Sequence, residues 1–152
     1  MFSVHQLVLT NGAILPNSFL KGNIMRVYVY FNLHRKCFSI KALEGKNKGR
    51  VVAHRDDVLL FDATFKVSEA GRQRVLRERK KNVHAGVVGH WDMTGTDLIT
   101  IDRVTTVGTP ITYNPYKYDT FVHLYGEHPC KTGRLVALTV SENKRSHINV
   151  WN

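Results

Sequence analysis

Apolar and polar positions alternate from Met25 onward: Val27, Val29, Phe31 and Leu33 are separated by Tyr28, Tyr30 and Asn32. A period of two marks a strand with one buried face. His34-Arg35-Lys36 reads as a turn, and Phe38, Ile40 and Ala42 resume the alternation in a second strand. The stretch EGKNKG (44–49) is a turn by composition. Residues 50–54 read as a short strand and Arg55-Asp56-Asp57 as a turn. From 59 to 67 the odd positions Leu59, Phe61, Ala63, Phe65 and Val67 are apolar, which predicts a strand with those five on one face.

The pattern then changes. Ser68 is a good N-cap residue, its hydroxyl able to accept from an unpaired N–H of the first turn. Glu69 suits the positive end of a helix dipole, and Lys80 and Lys81 suit the negative end. A helix over about 69–82 follows. At 100° per residue it groups Val75, Leu76 and Val83 on one side and Arg74, Arg77 and Lys81 on the other. Arg72 and Arg79 point toward the apolar side, where each must snorkel past the edge or meet a carboxylate.

Beyond the helix, 83–90 carries Gly86 and Gly89 among valines, a strand with a close backbone approach or a bulge. DMTGT (92–96) is a turn, and LITIDRVTT (98–106) reads as a strand from its β-branched residues. Pro110 and Pro115 make the next segment an edge strand or a loop. The stretch 121–125 is apolar, 126–133 a loop, 135–140 a strand and 148–151 a last strand. Strands running on both sides of one principal basic helix predict an α+β fold, mainly antiparallel β, in a single domain over 1–152. At the N-terminus, residues 1–24 hold one Lys and no Asp or Glu. They read as a first hairpin turning at Asn11-Gly12, with an N-terminal extension before a core starting near Met25 as the alternative.

Composition sharpens this picture. The apolar fraction of 43% argues against disorder. No apolar run approaches the ~20 residues of a membrane span, so no membrane role is expected. The two cysteines, Cys37 and Cys130, make no disulfide framework, which suits a reducing cytoplasm. The formal charge is +10. Between Lys66 and Lys81 seven Lys/Arg stand against two Glu, a net +5 and half of that total. An imbalance this concentrated predicts a partner that is nucleic acid or an acidic protein surface.

The candidate surface is Arg72, Arg74, Arg77, Arg79, Lys80 and Lys81, with a second cluster at Lys46, Lys48 and Arg50. Asn114-Pro115-Tyr116-Lys117-Tyr118 interleaves aromatic rings with a cation, and Tyr116 and Tyr118 join the candidate surface with Lys117. Together with Tyr28 and Tyr30 they could stack unpaired bases, or pack across strands. Asp56-Asp57 is the one adjacent carboxylate pair and reads as turn chemistry. His123, His128 and Cys130 lack the regular spacing of zinc ligands, so neither metal nor other cofactor is expected. His84 is the one candidate general acid or base, for a metal-independent ribonuclease.

The segments NLHRKCFSIKALEGKNKGRVVAH, FKVSEAGRQRVLRERKKNVHAGVVG and ITYNPYKYDTFV resemble small basic proteins encoded by tailed bacteriophages, a likeness covering most of residues 25–122. The resemblance implies expression in a bacterial host cytoplasm and carries over no catalytic residue. Small phage accessory proteins often bind and block host machinery, defence complexes included. The leading expectation is therefore a non-enzymatic phage accessory protein that binds nucleic acid through the basic helix and adjacent basic turn. The alternatives are a protein–protein inhibitor of a host defence or nucleic-acid-processing complex, of the anti-CRISPR type, and a ribonuclease using His84.

Overall fold

The structure is a computed structural model that describes residues 7–8, 14–15, 23–95 and 97–152. Strands β1 (Leu7–Val8) and β2 (Ile14–Leu15) pair antiparallel as a separate two-stranded sheet, and the Asn11-Gly12 turn expected between them lies outside the described residues. Next come β3 (Ile24–Asn32) and β4 (Cys37–Ala42), the alternating pair. Val27 and Val29 are buried on either side of half-exposed Tyr28, and Phe38 and Ile40 are buried together with Ser39, which is hydrogen-bonded to Asn32 and His54. Asn32 closes their turn: its Oδ1 accepts from the His34 and Arg35 amides at 3.0 and 2.9 Å, while Lys36 takes a left-handed φ of 59°.

Strands β5 (Val51–Arg55) and β6 (Asp57–Val67) follow, then α1 (Glu69–Glu78), β7 (Ala85–Asp92) and α2 (Leu98–Val107). The chain ends in β8 (Thr109–Thr112), β9 (Val122–His123), β10 (Thr132–Val140) and β11 (Ser146–Trp151). Nine of these strands form one antiparallel sheet in the order β5-β4-β3-β7-β6-β10-β11-β8-β9. Strand β5 is an edge and β6 is fifth in order, yet Asp56 alone links them. The sheet must therefore coil until the end of β5 meets the start of β6. Register shifts between Ile40 and Lys41 and between Phe61 and Thr64 supply bends for that coiling.

The concave side holds the main core, where Val27, Ile40, Leu60, Val87, Val136 and Leu138 are essentially inaccessible. Helix α2 covers the convex side: Ile101 and Val104 pack on Leu59, Phe61, Leu135 and Ala137. The class expected from the pattern, α+β with mainly antiparallel strands, holds, with two corrections inside it.

The first correction is that 98–107 is helix, not strand. Its β-branched residues argue for strand, but Asp97 caps it, Oδ1 accepting from the Thr100 amide at 3.0 Å. The hydroxyls of Thr105 and Thr106 return to the carbonyls of Ile101 and Asp102 at 2.8 Å, so these threonines satisfy themselves inside the helix. Ile101 and Val104 then sit one turn apart, on the stripe that the bare face of β6 and β10 demands. The second correction lies in β6. Asp62 takes a φ of 46° and displaces the register, so Leu59 and Phe61 face α2 while Ala63 and Phe65 face the main core. The odd positions do not share one face. Among the described residues no helix is long and apolar enough to cross a membrane.

Candidate nucleic-acid interface

Helix α1 starts as its sequence demands. Ser68 Oγ accepts from the Gly71 amide at 3.2 Å, and Glu69 lies in the first turn. Glu69 Oε1 accepts from Arg72 Nη1 and Gln73 Nε2, both at 2.8 Å. The Gln73 bond leads in holding its carboxyl below the usual range, and Arg72 and the nearby His84 act the same way. Gly71 is required by packing: a Cβ there would lie 2.5 Å from His84 Cβ. The helix closes at Glu78, four residues short of the 69–82 expectation. Arg79 turns left-handed, with φ 58°, and its amide caps Val75 O. Lys80, Lys81 and Asn82 are therefore off the helix, and with Arg74 and Glu78 they line one shallow hollow.

The cations of α1 divide by role. Arg72 is the most buried of them, its side chain 18% exposed. Its Nε donates to Pro115 O at 3.1 Å and to Tyr118 O at 2.9 Å, and Nη1 donates to Glu69. It clamps the 114–118 loop onto the helix, and the carboxylate its position called for is Glu69. Arg74 is spent on Glu78 at i,i+4, 2.7 Å away. Arg79 places its guanidinium 5.8 Å from the centroid of the Tyr116 ring, within cation–π range. Arg77, Lys80 and Lys81 are exposed.

The 114–118 loop is held from within as well. Asn114 Oδ1 accepts from the Tyr116 amide, and Asn114 O from those of Lys117 and Tyr118. Lys117 Nζ meets Glu127 Oε1 at 2.7 Å, and the Tyr118 hydroxyl donates to the same oxygen. Those bonds raise the Lys117 pKa and lower that of Glu127, each favouring its charged form. So Tyr116, Lys117 and Tyr118 join α1 in one surface, although 37 residues or more separate them from Arg79. On the loop's other side Lys66 and Lys131 flank an open groove lined also by Thr64, Asp119 and Thr120. Lys131 was not among the residues the sequence marked.

The second basic cluster lies elsewhere. Lys46, Lys48 and Arg50 hang from the end of β3 that carries Arg26, where the Leu43 amide donates to Arg26 O. Helix α1 leaves the sheet at Val67 and Ala85, level with Phe31 by the β3–β7 register. Five strand positions separate the two, roughly 17 Å, so the 46–50 turn is not adjacent to the basic helix. Tyr28 and Tyr30 are half-buried on β3 with centroids 6.0 Å apart, and burial first, then Tyr30, raises the Tyr28 pKa. Burial, then the adjacent Asp56, raises the Asp57 pKa at the β5–β6 corner. Among the described residues no three His, Cys, Asp or Glu stand close enough to hold a metal.

His84 sits at the foot of α1, at the end of a run of rings from the core: Phe65, Phe121, Tyr113 and His84, with centroids 5.0 to 5.4 Å apart. Its Nδ1 lies 2.8 Å from Asn82 O and must donate, since a carbonyl only accepts. Nε2 faces the Tyr113 hydroxyl at 2.7 Å. Both ring nitrogens are thus engaged, and His84 braces the helix foot against Tyr113. Burial pushes the Tyr113 phenol up to about 12, with Arg72 opposing and Glu69 and Asp119 adding to the shift. The folded pKa lies above the ordinary value of about 10, so this phenol stabilises the fold below about pH 10 and loses that contribution as pH rises toward 12. Urea unfolding should therefore show the wild type losing stability relative to Tyr113→Phe between those limits. Parallel pH profiles would contradict the assignment.

Fold and surface together describe a small basic α+β protein: one coiled antiparallel sheet presenting a cationic helix and an aromatic loop clamped to it. The family model described as Mycobacterium phage L5 gene 82 protein matches residues 21–145, and the chain belongs to that family. The Gene 82 protein of Mycobacterium phage L5 is 46% identical over 111 residues, covering 69% of this chain and 82% of that relative. No solved structure matches the chain. The bacteriophage resemblance read from the sequence is thereby established, and the protein is phage-encoded.

Proposed function

We propose that this phage protein binds nucleic acid, without catalysis, in the host cytoplasm. The observation that carries the reading is the joining of α1 and the 114–118 loop: Arg72 clamps the two, and Arg79 lies over Tyr116 beside exposed Arg77, Lys80 and Lys81. Exposed cations beside an exposed aromatic ring suit a phosphate backbone with bases at hand. The Lys46–Arg50 turn lies roughly 17 Å further along the sheet and forms a separate basic patch. The ribonuclease reading draws no support from His84, whose two ring nitrogens are already engaged. Docking of the same face on an acidic host protein is the competing use. Binding to a labelled oligonucleotide, measured against salt, tests the proposal. A steep loss with salt is expected, and absent or salt-independent binding would turn the face toward a protein partner.

A further inference from the structure

We propose that Tyr116 and Tyr125 are stacking platforms that make single-stranded nucleic acid the preferred ligand of this face. The inference rests on the nucleic-acid reading and narrows it. Of the six tyrosines, Tyr116 and Tyr125 alone are exposed, at 54% and 78%. Tyr28, Tyr30, Tyr113 and Tyr118 are each half-buried, and the last two have hydroxyls already bonded. A tyrosine so exposed contributes little to a core, and two on adjoining loops of a cationic face are unusual cargo for solvent.

Both rings stand on braced turns. Tyr116 follows the Asn114 turn that Arg72 clamps to α1, and the Arg79 guanidinium covers one side of its ring. Tyr125 lies in a turn closed by the Glu127 amide on His123 O and fastened by the Leu124 amide on Pro110 O. Glu127 joins the two turns, accepting from Lys117 and Tyr118 through one carboxylate oxygen. The backbone turns that carry the rings are thus held in place before any ligand arrives, which spares the cost of ordering the loops on binding. A duplex hides its base faces in the stack, whereas an unpaired base offers a face to each ring. Phosphates of the same strand would lie on Arg77, Lys80 and Lys81.

The test uses the full chain with a labelled oligothymidylate of about 12 nucleotides, within the usual site size, and a duplex of equal length. The wild type should prefer the single strand. Tyr116→Ala and Tyr125→Ala should each weaken single-strand binding about 5-fold or more, with a distinctly smaller loss on the duplex. The corresponding Phe variants should bind as the wild type, because stacking needs the ring and not the hydroxyl. Unchanged single-strand affinity in both Ala variants, or equal losses on the duplex, would overturn the stacking role while leaving phosphate binding intact. Failure of the wild type to bind either form would overturn the nucleic-acid reading itself.

Discussion

Reversing Arg77, Lys80 and Lys81 together to Glu is expected to weaken oligonucleotide binding by about 100-fold or more at 0.1 M salt. Each phosphate contact to a single strand contributes roughly 0.7 of a decade per decade of salt, so three lost contacts remove about two decades, before any repulsion from the new carboxylates. Arg74 is left out because Glu78 already holds it at 2.7 Å. All three chosen side chains are exposed. Surface changes of this kind usually alter stability by about 0.5 kcal/mol or less, and the loss of Arg77 from the last helical turn adds only a few tenths through the dipole. Melting temperature should therefore hold while affinity collapses. Wild-type affinity in this variant would remove α1 from the interface.

Arg72→Ala is expected to act by the opposite route, through the fold. Its guanidinium bonds the helix and the loop at once, donating to Pro115 O and Tyr118 O as well as to Glu69. Truncation leaves two part-buried carbonyls without this donor, which costs about 2 kcal/mol, read as a lower urea midpoint. It also frees the loop that carries Tyr116 and Lys117, so binding should fall further than in Arg77→Ala, which deletes a charge and no clamp. Arg72→Lys should not rescue it, because an ammonium lacks the planar fork that spans separated acceptors. A variant that is destabilised yet binds as tightly as the wild type would show that the loop takes no part in recognition.

The strands with a clean period of two were legible from the chain: Val27, Val29, Phe38 and Ile40 all face the core. So was the start of α1, because Ser68 and Glu69 act within one turn of their own positions. What escaped depends on distant partners. The 98–107 segment looks like a strand until the bare convex face of β6 and β10 asks for Ile101 and Val104 one turn apart. The flip in β6 hangs on Asp62 adopting a left-handed conformation, which no periodicity announces. Charge density marks α1 as the most basic stretch. It could not separate Arg72, bonded 43 and 46 residues away, from the exposed Arg77. Nor could it show that strand register carries the 46–50 turn away from the helix. Tyr125 closes a stretch that reads as apolar, and only its exposure and the Glu127 link between the two turns set it apart.

In the proposed reading, α1 and the 114–118 loop form a phosphate-binding face. The most direct measurement is the equilibrium constant for a labelled single-stranded oligonucleotide, taken by fluorescence polarisation on nuclease-treated protein across a range of salt. With about four cations engaged (Arg77, Arg79, Lys80 and Lys81), the logarithm of the constant should fall against log salt with a slope of roughly −3, and the triple Glu variant should flatten it to near −1. A constant that does not move with salt, or a slope shared by the wild type and the variant, would contradict the account.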